Sequence, residues 1–183
     1  MKRAYGFTIV ELLIVIVVIA ILAALSYVGY ANITQRAENN QNIVAMEGYL
    51  KAVSLYKADK GDIPRTADGS CLGKNYPWEL EGVSSGMNQC RWASIPYYTE
   101  SKATALNAAL SEYVSPLPQP NMKAIGAPTA WRRGIAYITY NGERMLSMAL
   151  QCTVTCPVLA GIAPLTSADS VAGGTGCTYS LGP

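Results

Sequence analysis

The segment Gly6-Phe7-Thr8-Ile9-Val10-Glu11-Leu12-Leu13-Ile14-Val15-Ile16 opens an apolar run that continues to Val28, and the rest of the chain is organised around it. Only Thr8, Glu11 and Ser26 interrupt the 22 residues from Phe7 to Val28. As an α-helix the run is ~33 Å long at ~1.5 Å per residue, enough to cross a bilayer. Lys2 and Arg3 precede it, and no other basic residue follows until Arg36. Positive charge on that flank places the N-terminus in the cytoplasm and the rest of the chain outside. No second run of comparable length follows, which excludes a polytopic helical membrane protein.

Glu11 breaks the pattern, because a carboxylate in hydrocarbon costs on the order of 2.5–3.5 kcal/mol even on lenient scales. A secretory signal has no use for that cost, and its apolar core is shorter, ~7–15 residues. A signal-peptidase site at Ala24-Leu25-Ser26 is the competing reading. Thr8-Ile9-Val10-Glu11 also fits a capping box, with Thr8 as N-cap and Glu11 at N3.

The pieces Lys2, Arg3, Gly6, Phe7 and Glu11 at these offsets resemble the type IV pilin and pseudopilin family. The resemblance covers about residues 1–30 and implies a set of roles. A prepilin peptidase and N-methyltransferase would cut between Gly6 and Phe7 on the cytoplasmic side and methylate the new Phe7 terminus. Glu11 would take part in assembly of a homo-oligomeric helical filament by the pilus assembly machinery. After cleavage Phe7 carries a cationic amine in the same apolar layer as the Glu11 anion. Pairing offsets part of both desolvation costs, and a pair between neighbouring subunits would fix the axial register of stacked helices. Many family members carry a glycine and then a proline inside the membrane helix. The stretch from Ala20 to Val28 has neither, and the nearest breaker is Gly29.

No proline occurs before Pro64, and Ile43, Met46, Leu50, Val53 and Tyr56 recur at spacings of three and four. This stripe extends the helix from about Thr8 to Lys60, where Gly61 suits the C′ position and Pro64 stops it. Residues 61–98 read as an irregular loop. Thr99 to Val114 reads as a short helix with Thr99 as N-cap, followed by an extended connector through Pro116, Pro118 and Pro120. Ile135 to Tyr140 and Arg144 to Gln151 flank Asn141-Gly142, a strong hairpin signal. One or two further strands are expected after Cys152, although the tail from Ala160 to Pro183 resists assignment.

The fold class is therefore α+β. The resemblance implies a pilin-like ladle: one long N-terminal helix, about 8–60, packed on a small antiparallel sheet with a short second helix. The expected organisation is a cleaved leader (1–6), a membrane or filament-core half of the helix (7–28), an amphipathic half (29–60) and an extracellular head (61–183).

Half of the 183 residues are hydrophobic, which excludes general disorder, and the length suits one domain. Lys2 and Arg3 account for the net charge of +2. The neutral body argues against a nucleic-acid partner. Arg132 and Arg133 read as a solvated pair before a strand rather than a nucleic-acid contact. Twelve tyrosines against one phenylalanine suit either an adhesive surface or half-buried rings with satisfied hydroxyls. Asn32-Ile33-Thr34 is a formal glycosylation acceptor inside the helix.

There is no histidine, which removes Ser-His and Cys-His pairs and the commonest metal ligand. No cofactor or metal site is expected: the tail offers only Asp169 towards calcium, and the cysteine spacings fit no zinc pattern. The five cysteines, Cys71, Cys90, Cys152, Cys156 and Cys177, fit an oxidising compartment. Cys71 and Cys90 form one candidate disulfide, and Cys177 pairs with either Cys152 or Cys156.

Three functions compete. The first is a structural subunit of an extracellular pilus, held in the cytoplasmic membrane before assembly. The second is a secretion pseudopilin or a minor, tip-located pilin. The third is a membrane-anchored extracytoplasmic enzyme, against which the missing histidine and nucleophile motif argue.

Overall fold

The computed structural model describes residues 8–64, 70–73, 90–93, 95–96, 100–123, 125–127, 130–140, 142–165, 170–171 and 173–182. The first element is a 52-residue helix, α1 (Ile9–Lys60). Two compact units divide the chain, residues 1–37 and 38–183.

In the first unit the large apolar side chains from Ile9 to Leu25 are all exposed, between 47% and 84%. The helix is apolar around its whole circumference here, so no single face is selected for burial. Such a helix belongs in a core or in lipid rather than in water. It is long and apolar enough to cross a membrane.

In the second unit the helix becomes amphipathic. Met46, Leu50 and Val53 of the expected stripe are buried, and Ile43 and Tyr56 pack at its margins. Ala45, Tyr49 and Ala52 widen the stripe. The helix ends where expected: Gly61 has φ +75° and its N–H bonds to the Lys57 carbonyl at 2.9 Å. Pro64 follows, and its carbonyl accepts from the Tyr137 hydroxyl at 2.6 Å.

Among the described residues of this unit there are nine strands and a second helix. They are β1 (Ser70–Leu72), β2 (Arg91–Ala93), β3 (Ile95–Pro96), α2 (Glu100–Ser111), β4 (Ile125–Ala127) and β5 (Ala130–Arg132). After them come β6 (Ile135–Tyr140), β7 (Glu143–Gln151), β8 (Ser170–Val171) and β9 (Gly174–Gly182). They form a five-stranded sheet, β1-β6-β7-β9-β8, and a four-stranded sheet, β3-β2-β5-β4. Every pairing among the described residues is antiparallel. The core joins α1 to Leu106 and Leu110 of α2 and to Ile135, Tyr137, Leu146, Met148, Leu150 and Tyr179 of the larger sheet.

The β6–β7 hairpin lies where the Asn-Gly pair placed it, with Tyr140 opposite Glu143 and Gly142 at φ +79°. Asn141 and Thr99 lie outside the described residues. The stretch 61–98 is not wholly irregular, because β1, β2 and β3 lie in it. Strands of two or three residues are too short to show an alternation. The tail holds β8 and β9. Along β9, Thr175, Cys177 and Tyr179 are buried, so threonine, cysteine and tyrosine carry the inward positions instead of aliphatics. Gly174 is needed there, since a Cβ would lie 2.4 Å from Ile125 Cγ2 and 2.7 Å from the Leu150 carbonyl oxygen.

Arg132 and Arg133 are a correction: they are buried, at 9% and 1% exposure, not solvated. They stand where the chain leaves the smaller sheet at β5 and enters the larger one at β6. The Arg133 N–H bonds to the Cys90 carbonyl at 2.9 Å, so the link runs inside the unit.

Asn39-Asn40-Gln41-Asn42 forms a polar patch on α1, and the patch has a structural use. The last residues of β7 extend past Met148, where its pairing with β6 ends. Helix side chains take over. Asn42 Nδ2 donates to the Ala149 carbonyl at 2.9 Å, and Asn42 Oδ1 accepts the Asn121 N–H at 2.7 Å. Asn39 exchanges two bonds with the Gln151 backbone, at 3.1 and 2.7 Å. Gln41 donates to the Gln119 carbonyl at 3.1 Å, and Glu38 pairs with Lys123 at 3.1 Å. Buried backbone groups must find partners, and asparagine supplies one donor and one acceptor where a strand is missing.

Candidate assembly site at the start of the long helix

Thr8 and Glu11 form a closed box. Glu11 Oε2 accepts the Thr8 N–H at 2.8 Å and the Thr8 hydroxyl at 2.7 Å. Thr8 Oγ1 in turn accepts the Glu11 N–H at 3.2 Å, and the Leu12 N–H reaches the Thr8 carbonyl at 3.3 Å. The local sequence dictates this: a threonine three residues before a glutamate at a helix start caps both ways. A carboxylate in the first turn also faces the positive end of the helix dipole.

The rest of the span hides its polar atoms. The Ser26 hydroxyl folds back onto the Leu22 carbonyl at 2.8 Å. Glu11 is therefore the sole charged side chain between Thr8 and Gln35. Its side-chain hydrogen bonds to described residues fall on Oε2, and Oε1 makes none among the described residues. Lys2, Arg3, Gly6 and Phe7, the other residues of the expected site, lie outside the described residues.

The cysteines are in the second unit. Cys71 bonds to Cys90 and Cys156 bonds to Cys177, with Cα separations of 5.5 and 5.6 Å. Cys152 is the free thiol and is exposed. Asp169 lies outside the described residues. Among the described residues no group of three or more Cys, Asp or Glu side chains converges as metal ligands would.

Two tyrosines were not singled out from the sequence. Tyr27 and Tyr30 flank the outer end of the apolar run at Val28 and are 78% and 72% exposed. The signal was the placement of aromatic residues at the outer end of a membrane-length segment.

Comparison with curated proteins and with solved structures finds no match to the chain. Residues 1–27 match the prokaryotic N-terminal methylation motif. That motif is the class III signal peptide of type IV pilins and pseudopilins, so the chain is similar to those proteins over residues 1–27, with an apolar helix of membrane-crossing length behind the motif.

Proposed function

We propose that the chain is a structural subunit of an extracellular type IV pilus filament, assembled through its apolar N-terminal helix. The observation that carries this reading is the span from Ile9 to Leu25, exposed on every side and bearing a single carboxylate near its start. Such a helix is stable in lipid before assembly and among like helices afterwards, so it need not meet water in between.

The roles follow from the chemistry of the motif. Prepilin peptidase cuts between Gly6 and Phe7, removing Lys2 and Arg3 with the leader, and Phe7 is methylated. The Phe7 amine of one subunit then meets Glu11 of its neighbour through the open Oε1. The Thr8 box holds the carboxylate while the subunit waits in the cytoplasmic membrane, with its N-terminus inside. The filament-core half (7–28), the amphipathic half (29–60) and the head (61–183) divide the work between assembly and outer surface. The role is structural, and no catalytic residue is assigned.

The test is the mass of the mature N-terminal peptide together with electron microscopy of sheared surface material. A methylated Phe7 and filaments dominated by this chain support the reading. A terminus at Met1 or Ser26 contradicts it, and a methylated chain found only in trace amounts identifies a pseudopilin or minor pilin instead.

A further inference from the structure

We infer that Tyr27 and Tyr30 form an interfacial anchor that seats the outer end of the span in the lipid headgroup layer. The inference rests on the membrane-held stage of the proposed function and adds to it where the helix stops in the bilayer.

Spacing supplies the first support. The 18 residues from Ile9 to Ser26 rise ~27 Å as a helix, close to the ~30 Å of a bilayer's hydrocarbon. Tyr27 and Tyr30 therefore fall where hydrocarbon gives way to headgroups. Residues three apart on a helix are neighbours on one side, so the two rings form a pair.

Chemistry supplies the second. A tyrosine has an apolar ring and a polar tip, the combination enriched at membrane interfaces. Both side chains are more than 70% exposed, and neither hydroxyl has a partner among the described residues. Headgroup phosphates and glycerol oxygens would accept from these hydroxyls. Beyond them Asn32, Gln35 and Arg36 are all polar, so the chain has left the apolar layer.

The opposite end gives this anchor a consequence. Lys2, Arg3 and Tyr5, the basic residues and the tyrosine on the inner side of the span, all precede the cut after Gly6, and Phe7 follows it. Processing removes the inner set and leaves the outer pair. The mature helix is then seated at its outer interface, with Phe7 and Glu11 as its only polar groups at the inner end besides Thr8.

The experiment places fluorotyrosine at position 27 or 30 by site-specific incorporation in the full chain. The protein is reconstituted in phosphatidylglycerol-phosphatidylethanolamine vesicles, and a trifluoromethyl-phenylalanine at position 16 serves as the mid-span reference. Fluorine relaxation is compared between a lipid with a nitroxide near the headgroup and one with a nitroxide near the chain end. The expected result is stronger relaxation by the headgroup label at 27 and 30, by about threefold or more, and by the chain-end label at 16. Chain-end relaxation at 27 and 30, or none from either lipid, overturns the anchor while a normal signal at 16 leaves membrane storage standing. Loss of the chain-end signal at 16 overturns both.

Discussion

Glu11 is held by Thr8 through one oxygen, Oε2, which accepts the threonine N–H at 2.8 Å and its hydroxyl at 2.7 Å. The second oxygen has no hydrogen bond among the described residues. The capping contacts and the proposed assembly contact thus fall on different atoms of one carboxylate, and substitution separates them.

Glu11→Gln keeps an acceptor for the Thr8 N–H and removes the charge. Glutamine serves at N3 of a capping box, so the helix start survives. The expected outcome is a chain that is inserted and processed but yields filaments reduced by tenfold or more, on the order of the 1.4 kcal/mol or greater that loss of a buried charge partner implies. Quantitative microscopy of sheared material checks it, and normal filament yield contradicts the charge pairing.

Asn42 bridges α1, the end of β7 and the connector at Asn121 with one donor and one acceptor. Asn42→Leu removes both bonds and leaves a buried carbonyl and N–H without partners. The expected loss is about 1–3 kcal/mol of stability, read as a lowered midpoint in denaturant. Asn40→Leu, at an exposed position of the same patch, should cost far less.

Cys156 and Cys177 close a segment with a sequence separation of 21. Replacing both with serine should lower stability by roughly 3 kcal/mol in the chain-entropy view. Cys152→Ser should leave stability within about 0.5 kcal/mol, since the thiol is exposed and unbonded. Denaturant titration of the full chain in detergent separates the two.

Burial pushes the Tyr137 and Tyr179 hydroxyls up to about 12, against an ordinary value of 10. For Tyr137 the neighbouring Arg144 opposes the shift and Asp62 adds slightly to it. The folded state therefore holds these protons more tightly than the unfolded state. Their contribution to stability is fully present below pH 10 and is lost as pH rises towards 12. Thermal midpoints should fall across that window, with tyrosinate absorbance appearing in step. A midpoint independent of pH over the window contradicts this.

Much of the fold was legible because periodicity and punctuation agreed. The long helix had an unbroken stripe and a Gly61-Pro64 stop, and the β6–β7 hairpin had its Asn-Gly turn. The short strands of the second sheet carried no period, and β9 hides its alternation in Thr175, Cys177 and Tyr179. The buried Arg132 and Arg133 were misread because their burial comes from the passage between two sheets, a tertiary fact with no local signature. At the assembly site, the Thr8–Glu11 spacing was readable directly. The purpose of Asn39 and Asn42 was not, since it depends on where β6 stops along β7.

Filament cryo-microscopy at side-chain resolution locates the neighbour of Glu11 Oε1. The expected map places the methylated Phe7 amine of an adjacent subunit within ~2.7–3.2 Å of that carboxylate. A map in which the two groups lie far apart, each engaged with other partners, contradicts it.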